Sequence, residues 1–447
     1  MTLKITNPLL LITNSLVFLF APLCLTVDGG YNLIPMLLLV LALPLLFRAK
    51  KTPLTQELKW LITAFFGYFI LFPISVYFDG GRFNDIDQAS RAVMAVIILL
   101  FLLRYPPKFA WLLNSFAAGS LASGAVAIHQ VFILDQPRAF AAYINAIQGG
   151  NIAMSLGLLS LCGGIFHLKK QRNFYAMAFF IAAAAGIIGS FLSGSRGGWI
   201  CLPVIVAVLI YLNRSLLSRR CYLTIALVVL AASTVLFQPS SDMDQRFNVN
   251  VITKAIASDI AQYQKGNSKT SLGNRFDLWK SAYYSIKEKP LFGWGVNGRH
   301  ANQLEQVKAN IINQSTYDYN YHAHNQYLED TSIRGLLGLV ALLGLFAAPL
   351  VIYKRYSRST SSAQQTALAS CGVVFVVSVA SYCLTQSFLS HNSGIVFYCF
   401  ITICIIASLV SLNNEQEEKQ LASLNIIEHI GRYFHNAKFH LQNKQQG

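Results

Sequence analysis

The chain has 447 residues, of which 54% are hydrophobic and only 12% are charged, and its mean hydropathy is +0.47. Soluble domains carry about 25% charged residues, so this composition excludes an ordinary soluble globular protein. Apolar runs of roughly 20 residues recur along the chain. Each can cross a membrane as a helix, because a helix satisfies its own backbone polar groups. We therefore expect an all-α polytopic membrane protein.

Twelve apolar runs are long enough to serve as transmembrane spans. They lie at about 8–27, 31–47, 60–78, 87–103, 109–134, 150–168, 174–192, 198–213, 221–238, 335–353, 365–389 and 394–412. The first run lacks a small-residue cleavage pattern, which predicts a retained span and not a removed signal peptide. The chain thus divides into a bundle of nine spans (1–238), a polar segment (239–334), three further spans (335–412) and a polar tail (413–447).

Basic residues orient these spans. Clusters of Lys and Arg follow the second, fourth, sixth, eighth and tenth runs, from Arg48 to Arg358. Because such clusters mark the cytoplasmic side, both termini are predicted to be cytoplasmic and segment 239–334 to lie on the outer, periplasmic face. This topology also accounts for a formal net charge of +16, so we expect membrane lipids as partners and no nucleic acid.

The outer segment carries a helical pattern. Apolar residues recur at spacings of three and four at Leu272, Phe276, Trp279, Tyr283 and Ile286, which predicts an amphipathic helix. Pro290 and the turn Gly293-Trp294-Gly295 end it, and a second helix is predicted at about 251–263. We expect a compact helical cap on the bundle that is not an independent domain.

The polar tail has one apolar face, formed by Leu421, Leu424, Ile427, Ile430 and Phe434. It predicts an amphipathic helix on the cytoplasmic membrane surface, with a solvated, frayed tail as the alternative. The eight cysteines lie in or beside apolar runs without paired metal-ligand spacing. They indicate small apolar helix residues and not a disulfide framework.

Four arginines lie on the outer side despite the charge bias: Arg82, Arg91, Arg138 and Arg196. Arg196 lies in the turn Ser193–Trp199, where small residues permit close backbone approach and predict an anion site. Arg275 lies near the start of the amphipathic helix, where the helix dipole also favours anions. The alternatives are interfacial arginines that snorkel to headgroups and, for Arg275, an exposed pair with Asp277.

The third cluster is His322-Ala323-His324-Asn325, directly before a span. An imidazole titrates near neutral pH and can take a proton from an attacking hydroxyl. Spacing alone leaves His322 and His324 equally eligible for this role. A zinc site is the competing interpretation, but two histidines are too few ligands.

Taken together, the three clusters indicate a reaction on a phosphate-rich substrate. Arginines without a carboxylate cluster suit phosphate, and a histidine beside them suits activation of a hydroxyl. The outer face has no ATP, so the donor has to arrive already activated. A lipid-linked sugar pyrophosphate meets that requirement.

Several segments carry a resemblance to a known family. They are Ser195-Arg196-Gly197, Arg275 with Trp279, Pro290-Leu291-Phe292-Gly293-Trp294-Gly295, and His324-Asn325 leading through Tyr327-Leu328-Glu329 to Gly335-Leu336-Leu337-Gly338. In these segments and in its layout of spans, the chain resembles the O-antigen ligases and their relatives, the O-antigen polymerases and protein O-oligosaccharyltransferases.

The resemblance implies a GT-C-like inverting glycosyltransferase that needs no metal or other cofactor. An O-antigen ligase moves a glycan from undecaprenyl pyrophosphate to a sugar of lipid A–core, at the periplasmic face of the bacterial inner membrane. By this resemblance His324 is the general base, while Arg196 and Arg275 stabilise the pyrophosphate. Apart from the resemblance, the topology adds Arg82 and Arg138 as residues that could contact the pyrophosphate or the anionic core of the acceptor. His322 and Asn325 are further candidates for substrate binding.

Two alternatives stay open at the level of sequence. A polymerase or a protein O-oligosaccharyltransferase of the same superfamily uses the same donor chemistry with another acceptor. A flippase for lipids or polysaccharides would need no catalytic residues. Transporters tend to keep broken or charged helices near the middle of the membrane, whereas almost all ionisable residues here lie at the ends of spans.

Overall fold

The computed structural model describes residues 7–46, 54–79, 81–142, 144–200, 202–214, 249–319, 322–357 and 361–444, and every regular element within these ranges is a helix. The membrane part before the outer segment contains α1 (Pro8–Leu23), α2 (Gly30–Leu46), α3 (Gln56–Asp79), α4 (Asn84–Leu102), α5 (Phe109–Ile128, extended by a π turn His129–Ile133), α6 (Ala146–Lys169), α7 (Asn173–Leu192), α8 (Arg196–Ile200) and α9 (Leu202–Leu212).

The outer segment and the remaining spans complete the chain. They contain α10 (Val249–Gln264), α11 (Ser271–Glu288), α12 (Gly295–Lys308), α13 (Gln314–Tyr319), α14 (Gln326–Arg355), α15 (Ala363–Tyr382) and α16 (Asn392–Lys444). Within the described ranges, seven helices are long and apolar enough to cross a membrane, namely α3, α5, α6, α7, α14, α15 and the first part of α16. Shorter apolar helices lie at Pro8–Leu23, Gly30–Pro44 and Gly197–Leu212.

All predicted spans but one overlap helices, the eighth with both α8 and α9 and the eleventh only as far as Tyr382. The exception is the ninth, at 221–238, which lies outside the described residues. The structure thus confirms an all-helical protein with several apolar helices of membrane-spanning length. The count of twelve spans stays a prediction.

Local sequence explains where several helices begin. Asn7 and Asn145 accept hydrogen bonds from the first-turn amides of α1 and α6, and Thr270 does the same for α11. Ser362 and Gln365 form a reciprocal capping box at the start of α15. These side chains satisfy amide groups that have no partner inside the helix.

The centre of the bundle is formed by α6 and the first turns of α16, where nearly all side chains are buried. The packing of α6 depends on small residues: a Cβ at Gly186 of α7 would lie 2.8 Å from the backbone oxygen of Ala153. Small residues let membrane helices approach closely enough for dispersion contacts to hold them together. Helices α6, α14 and α16 all begin on the same side of the bundle. We call this side the polar mouth, and the site lies there.

The outer segment is helical, as predicted, but α11 does not bury the predicted apolar stripe. Tyr283 of that stripe is 60% exposed, whereas Asp277, Ser281 and Ser285 are buried. The reason is that neighbouring segments supply polar partners; Gln306 of α12, for example, donates to Ser285 at 3.1 Å. A buried polar face is stable once its groups are paired, and local periodicity cannot show that pairing.

Helix α14 begins nine residues before the predicted span and is kinked where the span was expected to start. Gly335 has φ +64° and ψ −160°, and a Cβ there would collide with the backbone of Leu291. A Cβ at Gly293 would likewise collide with the backbone of Ile333. Residues 290–295 thus pack tightly against the kink. Residues 326–334 form a separate polar helical segment that precedes the span.

The last span continues as one helix from Asn392 to Lys444. No turn separates the predicted surface helix of the tail from the span. Lys108 pairs with Glu415 at 2.6 Å, and Arg355 pairs with Glu57 at 2.7 Å. Both ion pairs join segments that the charge pattern assigns to the cytoplasmic side, at the end of the bundle opposite the polar mouth.

Candidate functional site

The loop His322–Asn325 is anchored through the backbone of Ala323. Its carbonyl accepts a hydrogen bond from the indole of Trp279 at 3.0 Å, and its amide donates to the Glu329 carboxylate at 2.6 Å. Glu329 also pairs with Arg299 at 2.7 Å, and both of these side chains are buried. Helices α11, α12 and α14 therefore hold the loop together.

Asn325 fixes the other end of the loop. Its Oδ1 caps α14 by accepting from the amide of Leu328 at 3.1 Å, and its Nδ2 donates to the carbonyl of Leu384 at 3.1 Å. The next amide, of Gln326, donates to the carbonyl of Cys383 at 2.8 Å. These bonds give Asn325 a structural role, while contact with substrate stays a prediction.

His324 lies between these anchors in a left-handed backbone conformation, with φ +46°. Its Nδ1 is 2.7 Å from Oε1 of Gln386. Because that amide oxygen can only accept, Nδ1 carries the proton and the lone pair is on Nε2. The Gln386 contact therefore selects the tautomer that accepts a proton at Nε2.

The same glutamine connects His324 to a third imidazole, which the sequence interpretation missed. Nε2 of Gln386 lies 3.0 Å from Nε2 of His391, and the His322 ring lies 4.4 Å from the His324 ring and 6.0 Å from the His391 ring. Residues 383–391 were predicted to belong largely to the eleventh span, at 365–389. The structure instead ends α15 at Tyr382; the polar run Gln386–Asn392 was the available signal.

All three imidazoles are held toward the neutral form. Burial is the main reason why the pKa values of His324 and His391 are lowered to about 4, and it also lowers the pKa of His322. For His324 the hydrogen bond to Gln386 opposes this effect, whereas His322 and Arg275 add to it. Burial disfavours the charged form of a histidine because the imidazolium loses hydration.

Thr385, which directly precedes Gln386 in the chain, lines a cavity of about 430 Å³ that we name the Arg138 cavity. Its walls include Arg138, Gly194, Gly197, Arg275 and Thr385. The structure thus brings two predicted arginines together with the turn Ser193–Trp199. Nε of Arg138 donates to the carbonyl of Ser193 at 2.7 Å, which orients the guanidinium along the turn.

The turn itself is packed between α6 and the loop after α15. Ser195 donates to Oδ1 of Asn151 at 3.0 Å, and a Cβ at Gly197 would collide with Thr385. The backbone of Arg196 begins α8, and its side chain lies outside the described part of the structure. Asp277, the alternative partner considered for Arg275, is buried and accepts from Asn313 and Thr316.

A second cavity, of about 270 Å³, borders His322, and we name it the Arg299 cavity. Its walls include Arg82, Asp85, Arg299, His322 and Glu329. The structure therefore separates two arginines that the sequence had grouped. Arg82 lines the same cavity as His322, whereas Arg138 lines a cavity with Arg275.

Metal ligation was the competing interpretation of the histidine pair. Within the described residues, no group of three or more His, Cys, Asp or Glu side chains is arranged to hold a metal ion. The metal-independent chemistry implied by the resemblance stays a prediction.

Apolar helices of membrane-spanning length and a polar mouth with half-buried imidazoles and arginines define a multi-pass membrane protein with a site at the end of its bundle. The family model described as O-antigen ligase matches residues 179–343. These residues include the turn Ser193–Trp199, α11 and His324, so the match falls on the segments that build the site.

Two relatives extend this result. A Haemophilus influenzae protein described as uncharacterized is 34% identical over 400 residues, covering 88% of this chain and 97% of its own length. An O-antigen ligase of Escherichia coli K12 is 23% identical over 231 residues, covering 48% of this chain and 53% of its own length. The chain belongs to the O-antigen ligase superfamily, which consists of ligase- and polymerase-type membrane enzymes.

Proposed function

We propose that this protein is an O-antigen ligase of the bacterial inner membrane. It transfers a glycan from undecaprenyl pyrophosphate to a sugar hydroxyl of lipid A–core on the periplasmic face. The single observation that carries the proposal is the position of His324, whose proton-accepting tautomer is set by Gln386 and which feels the charge of Arg275, a residue that lines the Arg138 cavity. Membership of the superfamily supports the same reaction.

The donor pyrophosphate binds in the Arg138 cavity. Guanidinium groups suit phosphate because they donate two parallel hydrogen bonds as well as charge. Arg275 and Arg138 line this cavity, and Arg196 begins the adjoining short helix. As the glycosidic bond breaks, negative charge grows on the leaving pyrophosphate. Arginines that are already oriented stabilise that charge without reorganising.

His324 removes the proton from the acceptor. The hydroxyl proton passes to Nε2 of His324 while the acceptor oxygen forms a bond to the anomeric carbon. The bond from that carbon to the pyrophosphate oxygen breaks, and undecaprenyl pyrophosphate leaves with the electron pair. Attack from the face opposite the leaving group inverts the anomeric configuration, and the imidazolium then releases its proton to water.

Donor binding makes His324 a better base. A pKa of about 4 keeps His324 neutral in the absence of substrate, but an imidazole with so low a pKa attracts a proton weakly. The positive charge of Arg275 contributes to that low value. A bound pyrophosphate neutralises the arginine and favours the imidazolium, so the pKa of His324 rises toward the working pH when the donor is in place.

Reconstitution tests the proposal directly. Full-length protein in lipid vesicles receives an undecaprenyl-pyrophosphate glycan and lipid A–core, and the products are separated by gel and mass spectrometry. The expected product is lipid A–core carrying the glycan, with none formed by His324→Ala protein. Transfer only to another glycan or to a protein would replace the ligase assignment by a polymerase or a protein O-oligosaccharyltransferase, and movement of donor across the bilayer without any transfer would indicate a flippase.

A further inference from the structure

The Arg299 cavity holds buried polar groups that the donor side of the reaction does not use. Arg299 is 2% exposed, and only its Nη1 is used by Glu329. Its Nε and Nη2 atoms, like Nδ1 of His322, are buried and meet no hydrogen-bond partner within the part of the chain that the structure describes. Leaving buried donors unpaired costs free energy, so these groups indicate a polar occupant.

The charges of the residues that line the cavity indicate what kind of molecule it binds. Arg82 and Arg299 are balanced by Asp85 and Glu329, so the formal charges of these four lining residues cancel. Asn297 and His300 add further polar groups. A neutral molecule with many hydroxyls fits such a mixture of donors and acceptors, because each hydroxyl both donates and accepts. An anion would gain less here than in the Arg138 cavity.

The position of the cavity fits the second substrate. The His322 ring lines this cavity and is 4.4 Å from the His324 ring, while Arg275, which lines the Arg138 cavity, is close enough to His324 to act on its charge. Inverting transfer requires the nucleophile and the leaving group on opposite faces of the anomeric carbon. An acceptor in the Arg299 cavity and a pyrophosphate in the Arg138 cavity provide that arrangement.

The surroundings of the cavity indicate how the occupant arrives. Tyr77, Phe78 and Phe83 flank Arg82 in the chain and are 82%, 78% and 90% exposed. Aromatic side chains at the ends of membrane helices favour the lipid interface. The volume of about 270 Å³ lies just below the ~300–1,000 Å³ that ligand pockets occupy, so the cavity accommodates only a small ligand. These features suit one sugar ring carried on a lipid.

We propose that the Arg299 cavity is the acceptor subsite and binds an uncharged, hydroxyl-rich sugar ring of a membrane-anchored glycolipid. This inference rests on the proposed function, since it assigns the second substrate of the same reaction. Arg82 and Arg299 bind the sugar, and His322 separates the two subsites. Arg82, which the sequence offered as a contact for either the pyrophosphate or the acceptor, is thereby assigned to the acceptor.

Filling the cavity tests the assignment. Val296 lines it near the start of α12, and Ala301 is exposed on the same helix and does not line it. We expect Val296→Trp to raise the half-saturating acceptor concentration by about tenfold or more, while that of the donor changes by less than about twofold. Ala301→Trp adds the same bulk and is expected to leave both unchanged.

A second variant tests the assignment if Val296→Trp does not fold, as judged by gel filtration and thermal unfolding. Arg82→Ala removes an exposed side chain and is expected to raise the half-saturating acceptor concentration about fivefold to tenfold without changing that of the donor. A rise for the donor alone, or unchanged constants in both cavity variants, would overturn the assignment.

Competition separates this inference from the proposed function. A neutral methyl hexoside is expected to compete with the acceptor, and inorganic pyrophosphate with the donor; the reverse pattern overturns the acceptor assignment. Lipid-free core sugar is expected to be a weaker acceptor than the same sugar on its lipid. Equal rates with the two acceptors would contradict the proposal that the acceptor is bound as a membrane-anchored glycolipid. If wild-type protein transfers nothing, the proposed function fails, whereas direct binding of the glycolipid to wild-type and Val296→Trp protein still tests the cavity.

Discussion

Nδ1 of His324 lies 2.7 Å from Oε1 of Gln386, so an uncharged amide orients the histidine at the centre of the site. In many hydrolases a carboxylate holds the catalytic imidazole and stabilises the imidazolium. The amide orients the ring equally well but adds no negative charge. Burial therefore keeps the pKa of His324 low, at about 4, and we expect it to rise when an anionic substrate binds.

Gln386→Glu should move the acidic limb of the pH–rate profile to higher pH. Transfer requires neutral His324, so the rate falls as pH drops through its pKa. A carboxylate in place of the amide favours the imidazolium and raises that pKa. The measurement is kcat/KM for the donor between about pH 4 and 8. Gln314→Glu, at an exposed position of α13, is the matched control, and an identical shift in both variants would contradict the role of Gln386.

His324→Ala should reduce transfer by at least about 10²-fold to 10⁴-fold, the usual contribution of general-base catalysis. Donor binding and the thermal unfolding temperature should stay close to wild type, because the loop is anchored through Ala323 and Asn325. His129→Ala, at an exposed position of the π turn, controls for loss of an imidazole. Near-normal transfer by His324→Ala would remove its role as base.

Arg275→Lys and Arg196→Lys should each lower transfer by about tenfold to a hundredfold. Lysine keeps the positive charge but cannot donate two parallel hydrogen bonds to phosphate. The assay compares kcat and donor KM, with Arg104→Lys, exposed after α4, as the control. Wild-type kinetics in both variants would argue against direct pyrophosphate contact.

Gly335→Ala should lower the free energy of unfolding by at least about 2 kcal/mol. Its φ of +64° is strained for alanine, and the added Cβ collides with Leu291. Gly344→Ala is the control on the same helix, because the nearest atom to its added Cβ is 4.0 Å away. That change should be neutral or stabilising by up to about 1 kcal/mol. Thermal unfolding in detergent measures both, and equal stabilities would contradict the role of the kink.

Transfer should continue unchanged in excess chelator. The mechanism assigns stabilisation of the leaving group to arginines and proton removal to His324, and neither step uses a divalent ion. The assay compares initial rates with and without chelator after prolonged preincubation. A collapse of activity that added zinc restores would support the metal site considered for His322 and His324.

The class of the protein could be predicted from sequence because helix formation depends on interactions within short segments of the chain. Each apolar run determines a helix through interactions within the run itself, since backbone hydrogen bonds inside a helix reach only four residues. The turn Ser193–Trp199, Arg275 and His324 could likewise be recognised as short segments. The limit of such reasoning appears in α11, where the apolar stripe predicts a buried face. Partners on α12, such as Gln306, bury a polar face instead.

Tertiary structure determined which residues line each cavity. His324 and Gln386 are 62 residues apart, and neither residue alone indicates the other. They meet because the loop before α14 docks on the loop after α15, through the bond from Gln326 to Cys383. The division of Arg82 from Arg138 has the same origin. Sequence determined which residue types were available at the mouth of the bundle, and only packing between distant helices decided which of them share a cavity.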